Sequence, residues 1–210
     1  MDVERFSPST PPLFERTQKN LRFLHVGSVS RRKGVHYLVH AFILVLQKYP
    51  ESELFIAGGG EPTFVEELKK MASPYPQIRF CGRISEEGLP NVYTSADVFC
   101  LVPLSGSTPT VLAEAMASGL PIISTLGSGS GEEIKEYDAG FLVEPGNIED
   151  LAQAMSQAIE NRDTLHRKAR HALAASRYFS WDHIAQTLVS GYGIVLRAHR
   201  YYPDTEDKKN

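Results

Sequence analysis

The stretch that decides the fold is Pro103–Ser124, PLSGSTPTVLAEAMASGLPIIS. It reads as the end of a buried strand, a loop of small residues, a short helix and a further strand. Thr108 suits the helix cap, and Pro109 suits the first turn, where its missing N–H costs nothing. Val111, Leu112, Ala115 and Met116 supply the apolar positions, Gly119 stops the helix and Pro121 opens the next strand. The backbone N–H groups of Thr110 and Val111 have no helical partner. Together with the positive end of the helix dipole they form an anion site. One turn further in stands a single carboxylate, Glu114, able to accept hydrogen bonds from vicinal hydroxyls such as those of a ribose. A phosphate beside a ribose is half a nucleotide.

Outward from this stretch the chain alternates strands and helices. Short apolar runs predict strands at 22–27 (RFLHVG), 53–58 (ELFIAG), 77–82 (QIRFCG), 97–102 (DVFCLV), 121–124 and 139–143 (AGFLV). Helical spacing of Val35, Leu38, Val39, Phe42, Val45 and Leu46 predicts a helix after the first strand, and Phe64, Val65, Leu68 and Met71 predict one over 63–72. Residues 85–95 read as a short helix broken near Pro90, and GEEIKEY (131–137) as a short acidic one. From Ile148 the pattern is helical almost to the end. Three apolar stripes are expected there: Leu151, Ala154, Met155 and Ile159; Leu165, Ala169 and Leu173; Ile184, Leu188, Val189 and Tyr192. Strands this continuously apolar should be buried on both faces of a parallel sheet. The predicted fold class is α/β, a Rossmann-like doubly wound parallel sheet of about six strands with a helical C-terminal extension.

With 210 residues, 42% hydrophobic, the chain can bury a sizeable core. Its net charge of −3 gives no electrostatic case for nucleic acid or an anionic membrane. No run approaches the ~20 apolar residues of a membrane span, and the first twenty residues, polar and proline-containing, do not read as a signal peptide. Cys81 and Cys100 lie in apolar runs and read as buried free thiols of a reducing compartment, which with the charge and span arguments points to the cytoplasm. No His/Cys cluster has metal-ligand spacing.

Ligands of such sheets bind beyond the carboxyl ends of the strands, and the unusual chemistry of this chain is concentrated in those loops. Arg31, Arg32 and Lys33 stand at the start of a helix, the wrong end for a cation unless a bound diphosphate offsets the dipole. The run GGG at 58–60 suits either a close backbone approach to a ligand or a plain turn. GSGSG at 127–131 is not GxGxxG and does not follow the first strand, so a nicotinamide fingerprint is unsupported. The seven histidines read as surface or core residues, only His36 lying near a carboxyl-edge loop through Lys33. Ser107 lacks the GxSxG context of a hydrolase elbow.

The order VGSVSRRKGVHYLVHAF, ELFIAGGGE, IRFCGRIS, SADVFCLVPLSGSTPTVLAEAMASGLPIIST, AGFLVEPGNIEDLAQAM and FSW resembles the C-terminal, donor-binding domain of a GT-B glycosyltransferase. The similarity is strongest to the large retaining family 4 (glycosyl transferases group 1). It covers roughly 2–192, and 95–121 is its most specific part. The resemblance implies residues 1–20 as a linker or strap, 21–200 as a nucleotide-sugar-binding domain and 201–210 as a disordered tail. It implies Lys33, with Arg32, on the donor diphosphate, where Lys33 would stabilise the leaving group. Thr110 and Val111 would meet the phosphates through their backbone and Glu114 the ribose. Arg83 and Ile84 would line the base, and Gly106, Ser107, Thr108 and Pro109 would face the donor sugar. UDP or GDP is the expected nucleotide, with no cofactor and no metal required.

The sequence departs from the family at two positions. The first carboxylate of its E-x7-E motif falls on Gly106, and its arginine after the first-strand glycine falls on Ser28. The resemblance also implies an N-terminal acceptor domain, in cis or in trans, without which this half would be inactive. The last helix would support that domain or mediate self-association through Ile184, Leu188 and Tyr192, and a peripheral place at the inner membrane fits such a pair. Three readings therefore stand: the donor half of a retaining glycosyltransferase acting on a sugar or lipid acceptor; a non-catalytic nucleotide-sugar-binding or interaction module; and, with no matching acid/base set, a sugar-nucleotide epimerase.

Overall fold

The computed structural model describes residues 2–14, 21–106 and 110–201. Six strands, β1 (Arg22–Val26), β2 (Glu53–Ala57), β3 (Ile78–Gly82), β4 (Val98–Leu101), β5 (Ile122–Thr125) and β6 (Gly140–Val143), form one sheet in the order β3-β2-β1-β4-β5-β6. Every pairing is parallel. The chain winds outward from β1 to β3, returns to β4 beside β1, and winds outward again. The order reverses between β1 and β4, the switch point beyond whose carboxyl ends ligands of such sheets bind. This is the doubly wound sheet expected from the apolar runs.

Helices α1 (Val35–Lys48), α2 (Pro62–Ala72) and α6 (Ile148–Glu160) cover one face; α3 (Leu89–Thr94), α4 (Thr110–Ala117), α5 (Gly129–Glu136) and α7 (Arg162–Ser176) build most of the other. Phe23 and Phe42 are fully buried on the first face, Tyr93 and Phe99 on the second. Each such side chain contributes roughly 1.5–3 kcal/mol by leaving water. A 3-10 turn (Arg177–Phe179) then leads into α8 (Trp181–Tyr201). Among the described residues no helix is long and apolar enough to cross a membrane.

Several local expectations are corrected. The outer strands β3 and β6 are only partly buried, because each has a neighbour on one side alone. Pro90 does not break a helix; it opens α3 in the first turn, where a proline is tolerated. α2 begins at Pro62, since the Glu61 carboxylate caps it by accepting from the N–H groups of Thr63 and Phe64. Cys100 is buried but Cys81 is half-exposed, and both are free thiols.

The inward face of α7 is Leu165, Lys168, Ala172 and Ala175, leaving Leu173 exposed. Lys168 overrides the apolar pattern. Its Nζ reaches Asp138 Oδ1 at 2.6 Å and lies 5.0 Å from the centre of the Phe141 ring. The predicted face of α8 is open: Leu188, Val189 and Tyr192 are 53%, 70% and 64% exposed. Where it is described, the segment before β1 packs against the sheet and α3. Phe6 packs edge-on against Tyr93, Phe14 stacks on Phe55, and Ser95 Oγ accepts from the N–H groups of Leu13 and Phe14.

Candidate functional site

The loops that follow β1, β2 and β3 meet backbone to backbone. The N–H groups of Gly27, Val29 and Gly58 donate to the carbonyls of Ala57, Gly59 and Gly82, carrying the sheet pattern past the last strand residues. This explains the glycine run. A Cβ on Gly58 would stand 1.8 Å from the Gly27 carbonyl oxygen, and one on Gly60 2.0 Å from that of Val29. The close approach is to the neighbouring loop, a third option beyond a ligand contact or a plain turn.

Above these loops lies a pocket of about 250 Å³ lined by Gly27, Ser28, Gly59, Arg83, Ile84 and Leu89. Arg83 and Ile84, expected together at a base, do share this wall. Arg83 leans over Gly59, where a Cβ would come within 2.9 Å of its Nε. Leu89 opens α3, and one turn on, at the i+4 position that shares its face, is Tyr93. The Tyr93 hydroxyl donates to Glu114 Oε2 at 2.7 Å. Ile84, Leu89 and Val111 all pack on the cluster that contains Tyr93. One hydrophobic unit thus connects the pocket wall to the start of α4 and to its carboxylate.

Glu114 is half-buried, with one oxygen engaged by Tyr93 and the other available to a ligand. Burial raises its pKa above the ordinary carboxylate value, and the Tyr93 hydrogen bond pulls partly back. Tyr93, fully buried beside this charge, has its own pKa raised well above that of an ordinary phenol, through burial first. Sequence reading missed Tyr93 because the two residues lie 21 positions apart in different helices.

Across the switch point, α1 begins at Gly34 without a side-chain cap, so its first N–H groups are free to meet an anion. Lys33 precedes it, half-buried, and burial followed by the charge of Arg32 lowers its pKa. His25, at the end of β1, lies close enough to feel the Lys33 charge. Its Nδ1 donates to the Cys100 carbonyl at 3.1 Å, and Nε2 is buried with no hydrogen bond of ordinary geometry among the described residues. Burial lowers its pKa to about 4, so the ring is neutral at neutral pH. His25, like His36, therefore adjoins the carboxyl edge, though as a core residue.

Arg32 is exposed and reaches the β4 loop. The Leu104 N–H donates to its carbonyl at 3.0 Å, and a Cβ on Gly106 would stand 3.1 Å from its Nη1. Gly106 has φ +131°, a conformation that strains any side-chain-bearing residue. The expected donor-sugar residues Ser107, Thr108 and Pro109, with the expected α4 cap, lie outside the described residues. Thr110 and Val111 open α4, Thr110 exposed and Val111 half-buried. Among the described residues no three His, Cys, Asp or Glu side chains are grouped to hold a metal ion.

Comparison with known proteins agrees with this fold. The family of glycosyl transferases group 1 matches residues 12–175. Over 183 residues the chain is 32% identical to the Bacillus subtilis protein YtcC, by name a glycosyltransferase, covering 82% of this chain and 45% of that one. Sucrose-phosphate synthase of Thermosynechococcus elongatus shares the fold with a TM-score of 0.79 at 23% identity, over 94% of this chain and 51% of that one. Anabaena HepE, solved in complex with UDP and glucose, does so with a TM-score of 0.75 at 21% identity, over 92% and 55%. The chain spans about half the length of these proteins.

Proposed function

Because the chain belongs to the glycosyl transferases group 1 family, we propose that it is the donor-binding half of a retaining GT-B glycosyltransferase. It would transfer a glycosyl group from a nucleoside diphosphate sugar to a sugar or lipid acceptor held by a second domain. The observation that carries the reading is the unit running from the pocket wall at Arg83, Ile84 and Leu89, through Tyr93, to Glu114. The base lies in the pocket, the ribose hydroxyls on the free oxygen of Glu114, and the diphosphate against Lys33 and the N–H groups of Thr110 and Val111. Arg32 adds to the positive field. Charge grows on the diphosphate as the glycosyl bond breaks. A preorganised ammonium and two helix starts stabilise that charge, and no metal ion is assigned. The open face of α8 fits a supporting role for the acceptor domain.

Titration calorimetry of the chain with UDP and with GDP tests the site. Binding of either nucleotide, weakened about tenfold or more by Lys33→Ala and by Glu114→Ala, supports the reading, a charge-assisted hydrogen bond being of that strength. No heat from either nucleotide at millimolar concentration removes it. A non-catalytic role has one observation in its favour: Gly106 offers no carboxylate, and Arg32 occupies the space beside it. Donor hydrolysis by this half, co-expressed with an acceptor domain, separates the two; a complex that binds donor and never turns it over favours the module.

A further inference from the structure

The segment before β1 runs along α3 and is fastened to it at several points. Asn91 Nδ2 donates to the Pro11 carbonyl at 2.9 Å, the Leu13 N–H donates to the Asn91 carbonyl at 3.0 Å, and the Arg5 guanidinium donates to the carbonyl of Glu86, just ahead of the helix. With six residues α3 is too short to hold itself together in water, so its place is set by what packs on it. Phe6, itself buried, meets the Tyr93 ring edge-on with the centroids 5.7 Å apart, and Phe99 of β4 packs on the same ring at 5.7 Å. Tyr93 is fully buried, yet its hydroxyl reaches α4, 2.7 Å from Glu114 Oε2 and 3.4 Å from the Val111 carbonyl oxygen. The two acceptors are one turn apart, so the tyrosine meets the start of α4 as well as its carboxylate.

A free glutamate side chain samples several rotamers, and only some of them turn its second oxygen toward a given ligand. A phenol whose ring is wedged between two others is a rigid donor. It selects one rotamer before the ligand arrives and so lowers the ordering cost of binding. We infer that Tyr93 and Phe6 are positioning residues: Phe6 seats the Tyr93 ring, the Tyr93 hydroxyl fixes the Glu114 carboxylate, and the site thereby selects a ribonucleoside diphosphate over its 2′-deoxy counterpart. The inference rests on the nucleotide reading above, in which Glu114 faces the ribose. A carboxylate held in place to accept from a hydroxyl is left unpaired by the analogue that lacks it, and that loss is the source of the discrimination.

The test titrates the full chain with UDP and 2′-deoxy-UDP, and in parallel with GDP and 2′-deoxy-GDP, in alkaline buffer where Glu114 is ionised in every variant. The ribonucleotide of the responding series is expected to bind about tenfold tighter than its deoxy counterpart. Tyr93→Phe keeps the ring and removes the donor. It is expected to cut the preference below about threefold while leaving the affinity for the deoxynucleotide unchanged. Phe6→Leu, which keeps an apolar side chain but frees the Tyr93 ring, should lose part of the preference in the same direction. Each variant is titrated well below its own melting transition, and Phe6→Leu carries the test if Tyr93→Phe does not fold. Equal binding of ribo and deoxy forms by the unaltered chain overturns the inference and leaves the nucleotide site standing. So does a preference that survives both substitutions. An equal loss for both forms in the variants also overturns it, by reducing Tyr93 and Phe6 to supports of the fold. Failure of all four compounds to bind brings down the nucleotide reading, and the inference with it.

Discussion

The two edges of the sheet treat charge in opposite ways. At the amino edge Arg22 and Glu53, opening β1 and β2, are buried together at 2.7 Å, Arg79 adds a second ion pair to Glu53, and the Asp97 carboxylate accepts from the Arg22 N–H. Asp138, just before β6, gathers Arg167 and Lys168. At the carboxyl edge Arg32, Lys33 and Arg83 form no ion pair among the described residues, and Glu114 bonds a tyrosine hydroxyl. Paired charge at one edge fastens elements together; unpaired charge at the other is available to a ligand. The contrast, to which the Arg31–Glu67 pair is an exception, supports the proposed site without reference to any relative.

The comparison breaks most visibly at Glu53. Glu53→Ala removes the buried carboxylate that Arg22 and Arg79 share and is expected to cost about 3–5 kcal/mol in chemical denaturation. The folded variant should keep its nucleotide affinity. Lys33→Ala is the mirror experiment: about 1.5–3 kcal/mol of nucleotide binding lost by calorimetry, with unfolding stability changed by less than about 0.5 kcal/mol. Equal losses of stability and binding in either variant would erase the distinction between the edges.

Smaller effects sharpen it through pH. In the proposed site Glu114 holds the ribose in its ionised form, and burial raises its pKa, so nucleotide affinity should fall with acidification from above the ordinary glutamate range. Tyr93→Phe removes a hydrogen bond that favours the ionised form, and the acid limb should move to still higher pH. Stability has the reverse sign at the two edges. Glu114 has a raised folded pKa, so its contribution is present at low pH and lost as pH rises through that value; Glu114→Gln should be neutral to slightly stabilising at neutral pH. Asp138 has a lowered pKa, held down by the Lys168 hydrogen bond first. Its contribution is present above the unfolded value and lost as pH falls through the folded one. Asp138→Asn should therefore cost up to about 1 kcal/mol at neutral pH, these pairs being partly exposed, and less in acid. Melting curves across pH check both signs.

The βα alternation was legible because strands buried on both faces are mostly apolar: β4 is so throughout, and β1, β2 and β5 are so apart from Arg22, His25, Glu53, Ser124 and Thr125. The helix over Thr110–Ala117 and its Glu114 were legible because apolar spacing and the stop glycine Gly119 act locally. Contacts between distant segments were not. Nothing in LPNVYT announces that Tyr93 will hold a carboxylate 21 residues later. The inward face of α7 was misread because Lys168 is buried by a partner from another loop, which no periodicity displays. The glycines at 58 and 60 were read in isolation, and their reason is the carbonyls of Gly27 and Val29. Legibility therefore ends where a residue answers to a neighbour in space.

One feature of the carboxyl edge has a mechanical side. The Arg32 carbonyl holds the Leu104 N–H, and the Gly106 carbonyl holds the Gly129 N–H, so the segments after β1, β4 and β5 are stitched into a single strip of backbone. Such a strip does not flex one loop at a time. Substitutions at Gly129, which lies outside the pocket lining, and at Arg32 are therefore expected not to add independently.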